Sequence, residues 1–161
     1  MKRVLVVFLL LPFLGFAQQR LACVDPGKIL SESQLVKSKE NELRSRAEQY
    51  QKQLDQINKR LEDLKKQIES RGIAQSVREQ RIKEYQKTEA EGVEIQQKAQ
   101  RELSELKGKM EEDIINRVRA ISEDIAKKQG FTAVLDCSAF VYKSAEMDIT
   151  KEVIQRLDQQ R

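Results

Sequence analysis

The sequence predicts a mostly helical α+β fold, in which a long antiparallel coiled-coil hairpin forms an arm on a small β-rich oligomerisation body. Three observations carry this expectation. Eight apolar residues recur at alternating four- and three-residue steps through a charged, glutamine-rich stretch. A break around Gly72 separates it from a second stretch of the same character. Apolar, β-branched and aromatic sequence of the kind that forms sheet is confined to short segments near the two ends.

The first residues are read apart from the fold. Met1-Lys2-Arg3 is a positive start, Val4 to Phe16 is an apolar run, and Gly15-Phe16-Ala17 puts small residues where a signal peptidase reads. This is the three-part secretory signal, and the run is too short for a spanning helix. Residues 1–17 are therefore expected to be removed by cleavage near Ala17, with a membrane anchor as the alternative. No Cys directly follows the run, which argues against a lipoprotein.

Charge and composition exclude several function classes. The chain has 30 Lys and Arg against 26 Asp and Glu, a formal charge of +4. Loss of Lys2 and Arg3 lowers this to about +2. So nearly neutral a chain is not expected to have nucleic acid as a partner. With no His and no Trp, His-based general base catalysis, His-ligated metal and the Ser-His-Asp arrangement are all excluded. There is no phosphate-cradling glycine loop and no CxxC pair. Glu111-Glu112-Asp113 is the nearest approach to a carboxylate site, but consecutive helical residues point apart, so it reads as a solvated face. No enzymatic activity, cofactor or metal is expected.

Past the signal, Arg20 to Val24 reads as a first strand, and Asp25-Pro26 supplies an N-cap followed by proline at the first helical position. The seam of the arm then runs Leu43, Ala47, Tyr50, Leu54, Ile57, Leu61, Leu64 and Ile68, the a/d pattern of a coiled coil. So narrow a stripe is buried by one partner helix and leaves every other face wet. The predicted arm is 36–111, roughly 50 Å long, with its tip near 70–77. Its body is 18–35 together with 112–161.

At the tip, Gly72 is suited to a left-handed helix end, and Ser76 with Glu79 matches a capping box. A turn centred near residue 73 would set Leu43 against Leu103, Ala47 against Ala99, Leu61 against Tyr85, Ile68 near Val77, and Leu54 against the small Gly92. Leu103, Leu106, Met110, Ile114, Val118, Ile121 and Ile125 carry the stripe onward, with steps of four that relax the supercoil toward the base. Gly92 reads as close packing; Gly108 reads either that way or as a hinge. Lys127-Lys128-Gln129-Gly130 closes the helix with cations and a glycine cap.

The C-terminal third returns to sheet. Phe131 to Asp136 reads as a second strand and Phe140 to Tyr142 as a third, and Thr150 as the cap of a last helix stapled by Ile149 and Ile154. Three short strands and one helix bury too little surface to anchor long arms alone, so the body is expected to be completed by copies of itself. Its shared core is assigned to Leu21, Val24, Phe131, Val134, Leu135, Phe140, Val141, Tyr142 and Ile149. Sheet pairing could bring Cys23 and Cys137 together as a disulfide, which export favours; the alternative is a pair of buried free thiols.

The order of these segments resembles a known family. A signal, a first strand ending in "VD", a long charged hairpin, then "GFTAVLD", "VY" and "DITKEVIQRL" are similar to the Skp/OmpH family of periplasmic chaperones. The resemblance covers essentially the whole mature chain and is most specific at Gly130, Val134, Asp136, Tyr142 and Asp148-Ile149-Thr150. It implies a jellyfish-like homotrimer with a β-barrel body built from strands of all three subunits. It also implies a periplasmic, ATP-independent holdase that keeps unfolded outer-membrane proteins in a cavity between its arms and delivers them toward the outer membrane. Association with anionic lipid or lipopolysaccharide surfaces comes with it. The basic distal arm residues Lys65, Lys66, Arg71, Arg78, Arg81 and Lys83 are the expected client or lipid contacts, against a plain solvated face. A structural coiled-coil protein of the envelope, with no client-holding activity, is the alternative.

Overall fold

The computed structural model describes residues 19–160; the expected signal segment and its cleavage point near Ala17 lie outside them. Strand β1 (Leu21–Val24) leads into helix α1 (Pro26–Glu32), then α2 (Gln34–Glu69), α3 (Gln75–Gln129), strand β2 (Ala133–Asp136) and helix α4 (Thr150–Asp158). Short 3-10 turns occupy Cys137–Ala139 and Ala145–Met147. Helices α2 and α3 form the expected antiparallel hairpin, and the body is a two-stranded sheet packed with α1, α4 and the base of the hairpin.

The arm follows the a/d pattern. Between residues 41 and 70 the residues withdrawn from solvent are Leu43, Ala47, Tyr50, Leu54, Ile57, Leu61, Leu64 and Ile68, and every other position is exposed. Facing residues are offset from the expected register by about one turn. A Cβ placed on Gly92 would meet Ile57 Cγ2 at 3.0 Å, so the small residue faces Ile57 and not Leu54. A slip of one turn keeps the same residues on the same face, so the periodicity alone does not separate the two registers. Cross-arm pairs fix the observed one: Lys39 with Asp113 at 2.9 Å and Arg46 with Glu102 at 3.3 Å.

Several local expectations are corrected. Helix α3 begins after Ala74, with no side-chain cap, and Ser76 lies inside the helix, so the predicted capping box does not form. Gly72 does not adopt a left-handed conformation; Ser70, in an extended conformation, ends α2 instead. Gly130 is the left-handed cap, at φ 72°, as expected of the residue that closes α3. Thr150 is the first helical residue of α4, not its cap, and Ile149 precedes it. Asp25 caps α1 as predicted, accepting from Lys28 N at 3.1 Å.

The sheet is parallel, with Leu21 opposite Ala133 and Val24 opposite Asp136. Parallel neighbours require a long crossover, and here the whole helical arm supplies it. The predicted third strand does not form: Phe140, Val141 and Tyr142 are irregular chain. A strand needs a partner edge, and the open edge of β1 is taken at Cys23 by a bridge to Asp148. The core joins Ala22, Ile29 and Val36 to Ile121, Ile125, Val153 and Leu157, tying both ends of the chain to the base of the arm.

Candidate functional site

The body is held by polar contacts at the edge of β1. Ile149 N donates to Cys23 O at 3.0 Å, and Asp25 N donates to Thr150 Oγ1 at 2.9 Å, so the Asp148-Ile149-Thr150 segment docks directly on the first strand. The Asp148 carboxylate accepts from Thr150 N at 3.0 Å and from Lys143 and the Thr150 hydroxyl. Burial pushes the Asp148 carboxyl up, but the hydrogen bonds from Lys143 and Thr150 outweigh it and bring it down to about 2. Asp158, at the end of α4, reaches the start of α2, accepting from Ser33 Oγ at 2.7 Å and from Leu35 N at 3.0 Å. These contacts explain why residues so polar sit within so small a core.

Cys23 and Cys137 are joined by a disulfide, with their Cα atoms 4.9 Å apart. Cys23 lies in β1 opposite Leu135, and Cys137 follows β2 by one residue, so the parallel register itself delivers the two sulfurs. Among the described residues, Cys23, Cys137 and Asp148 are the one cluster whose ligand atoms come within reach of a common ion. The sulfurs are bonded to each other and offer no thiolate, so the cluster does not fit a metal.

The residues assigned to a shared core fall into two groups. Ile149 is buried, and Leu21, Val24, Phe131, Val134 and Phe140 are partly covered within the single chain. Leu135 is 42% exposed, Tyr142 85%, and Val141 is fully exposed. An apolar groove of about 950 Å³ opens where the arm meets the body, lined by Val24, Ile29, Leu30, Ile115, Val118 and Val134 among others. Ser122 lies in its wall, and its Oγ is buried without a hydrogen-bond partner among the described residues.

The basic residues of the distal arm are spread around the helices and do not converge on one point. Arg78 donates to the carbonyl oxygens of Ile68 at 2.8 Å and Ser70 at 3.1 Å, closing the end of α2 across the tip. Lys66 pairs with Glu62 at 2.8 Å and Arg81 with Glu84 at 2.7 Å. Lys65, Arg71 and Lys83 are exposed. Lower on the arm, the Tyr50 hydroxyl donates to Glu102; this bond holds the Glu102 carboxyl below its usual range and pushes the Tyr50 phenol up.

The sequence reading passed over two features. Thr88 is buried in the seam of α3, invisible to a search for apolar positions. The outward-facing apolar residues of α3, Ile82, Val93 and Ile115, were also missed because they do not belong to the seam, whereas Val77, expected in the seam near Ile68, is itself exposed.

Comparison with known proteins agrees with this architecture. A family model described as outer membrane protein (OmpH-like) matches residues 20–157. A protein of Aquifex aeolicus described only as uncharacterized is 35% identical over 158 residues, covering 98% of this chain and 97% of that protein. The crystal structure of an OmpH-like protein from Caulobacter crescentus CB15, provisionally described as an outer membrane chaperone, superposes with a TM-score of 0.78. That match covers 89% of this chain and 86% of the other at 19% identity, a likeness of fold.

Proposed function

The chain belongs to the OmpH-like outer membrane protein family, and on that premise we propose that it is a periplasmic holdase chaperone. Three copies assemble through the body, and the arms enclose unfolded outer-membrane proteins on their way to the outer membrane. No nucleotide drives the cycle and no bond is made or broken. The secretory pattern at residues 1–17 supports the compartment.

The observation that carries this reading is the contrast between the two ends of the molecule. At the body, Leu135, Val141 and Tyr142 are large, apolar and uncovered, and Val134, the neighbour of Leu135 in β2, lines an apolar groove on the opposite face of that strand. Exposed apolar surface of this kind marks an interaction site. A second copy whose 140–142 segment lay along the free edge of β2 would cover these side chains and supply the strand partner that the segment lacks. Assembly then concentrates three arms around one space.

The arm has the chemistry of a weak, general binder. Its seam is satisfied internally, so its outer faces offer no deep apolar pocket. Long Lys, Arg and Gln side chains lay aliphatic stems against an apolar client while their heads stay hydrated. Many weak contacts on several arms multiply into avidity without fixing a pose, and each is weak enough to be released without an energy source. Lys65, Lys66, Arg71, Arg78, Arg81 and Lys83 add attraction for acidic clients or anionic lipid head groups, including lipopolysaccharide. This attraction weakens with salt.

The test is dilution of a urea-unfolded β-barrel outer-membrane protein into buffer with and without the mature chain. Suppression of light scattering at about one trimer per client supports the holdase. Unchanged aggregation would mean a structural coiled-coil protein of the envelope instead.

A further inference from the structure

The two helices of the arm differ in what they show to solvent. On α2, every apolar residue between Lys37 and Glu69 belongs to the seam, and the outer faces are wholly polar. On α3, Ile82, Val93 and Ile115 point outward, 39%, 49% and 56% exposed. Hairpin packing does not account for them, because each lies off the stripe that contains Thr88, Gly92, Ala99 and Leu106.

The surroundings of these residues are unusual for this chain. On a helix, positions three, four and seven apart are neighbours. From Ile82 this rule leads through Gln86 and Ala90 to Val93, then through Gln97 and Gln100 to Ser104 and Gly108. All eight positions are exposed and none is charged. The remainder of the same stretch is dense in Lys, Arg and Glu, so a charge-free strip runs down one flank of α3. Through Glu111, which pairs with Lys107 at 3.7 Å, it reaches Ile115, which lines the apolar groove at the base.

We propose that this strip, Ile82 to Gly108 of α3, is the surface on which the arm holds an extended segment of unfolded polypeptide. The inference rests on the holdase reading and deepens it by naming the face. The spacing argues against a second helix as occupant. Ile82 and Val93 are eleven residues apart, about 16 Å along the axis, whereas a helix partner needs an apolar residue every three or four. A strip this sparse is far from the 1,200 Å² or so that a stable interface buries. An extended chain suits it better. Its side chains alternate at about 3.3 Å per residue, so a membrane strand's alternating apolar and polar residues can meet widely spaced apolar points. Its unpaired backbone finds both donors and acceptors in the amides of Gln86, Gln97 and Gln100, without the desolvation that a charged partner would impose. Small Ala90, Ser104 and Gly108 leave room for the chain to lie close. Because Ile115 lies on the same flank of α3 two turns below Gly108 and lines the groove, an assembly that closes over the groove turns the strip toward the enclosed space.

The experiment places a photo-crosslinking residue at Val93 or Gln100 on the strip, and at Lys52 or Lys59 on the outer face of α2. Each full-length mature protein is offered a urea-unfolded β-barrel outer-membrane protein. Crosslinks to the client at least tenfold stronger from the strip, persisting in half-molar salt, are expected. In parallel, the double variant Ile82→Glu with Val93→Glu should weaken holding at least tenfold, with helicity and assembly size unchanged. Equal crosslinking from α2, unaltered holding by the double variant, or crosslinks from Val93 to another copy of this chain would each overturn the proposal. If the unmodified protein held no client at all, the holdase reading itself would fall, and the strip would fall with it.

Discussion

The Arg78 guanidinium donates to the main-chain carbonyl of Ile68 at 2.8 Å, ten residues back along the chain. With a second bond to Ser70 at 3.1 Å it satisfies carbonyls that the end of α2 leaves open, in a turn that has no glycine cap. Charge-assisted hydrogen bonds of this kind contribute about 1.5–3 kcal/mol each when shielded and less at an exposed tip. Arg78→Ala is expected to raise hydrogen exchange at residues 66–80 by about tenfold and to leave the body unchanged. Arg78→Lys should not restore protection, since one ammonium cannot span two carbonyls as a planar fork does. Equal protection in the wild type and Arg78→Ala would remove the clasp.

The disulfide is the second point of leverage. It joins Cys23 to Cys137, 114 positions apart in sequence, and so constrains the unfolded chain strongly. A loop of that size corresponds to up to about 4–5 kcal/mol. Thiol titration of unreduced, denatured protein should find no free sulfhydryl, and Cys23→Ser with Cys137→Ser should lower the chemical-denaturation midpoint of the body. Because the bond lies in the body, arm helicity at low denaturant should barely change. Two titratable thiols would exclude the bond.

These contacts also show what a sequence can reveal. The eight seam residues of α2 were legible because burial by one partner imposes a period, and nothing else in that stretch is apolar. Thr88 was not legible, since a hydroxyl in a seam breaks the binary pattern while its methyl still packs. The register was ambiguous by one turn because a slip of that size returns the same face. The third strand at Phe140–Tyr142 was predicted from composition alone, and β-propensity expresses fit to a neighbouring strand, which one chain does not provide. The strip on α3 escaped notice because a search for apolar periodicity passes over glutamine, serine and glycine, and the mark of this surface is absence of charge.

Asp148 links the C-terminal segment to pH. Its carboxyl falls from 3.8 to about 2 because hydrogen bonds from Lys143 and Thr150 exceed the opposing effect of burial. The folded value lies below the unfolded one, so the stabilisation is complete above about pH 4 and is lost as pH falls toward 2. Its size is up to about 2 kcal/mol. Urea denaturation of the wild type and Asp148→Asn should therefore diverge at pH 6 and converge near pH 2. A gap that stays constant over that range would show that the carboxylate charge is not its source.

Gly92 and Gly108 lie in the same helix but predict opposite outcomes. At Gly108 an added Cβ meets nothing within 4 Å, so Gly108→Ala should gain about 0.5–1 kcal/mol of helix stability and raise the thermal midpoint. At Gly92 the added Cβ meets Ile57 Cγ2 at 3.0 Å, and that methyl has to move to admit it. Gly92→Ala should therefore gain less than Gly108→Ala, or lose stability. Packing within the single chain does not account for Gly108, so its looseness can be tested directly. Spin labels at the tip and in the body should report a narrower distance distribution in Gly108→Ala, and an unchanged distribution would end the hinge reading. Equal midpoint gains at both positions would mean that Ile57 yields freely.

Val134 and Leu135 are adjacent in β2 yet test different things. Val134 packs against the core cluster and lines the groove, so Val134→Asp damages the single chain as well as any assembly. Leu135 points the other way, as alternation along a strand requires, and is 42% exposed. An aspartate there costs an isolated chain little, because the charge remains hydrated. In an assembly that covers Leu135, the same charge would be buried without a partner, at a cost of several kcal/mol per copy. Leu135→Asp should therefore keep its helicity and its Cys23–Cys137 bond while sedimenting at the mass of one chain. Its suppression of client aggregation should drop at least tenfold, because single arms lose the avidity of several. A variant that still sediments as an oligomer would show that β2 faces solvent in the assembled protein, and the interface would have to be sought on the groove side of the body.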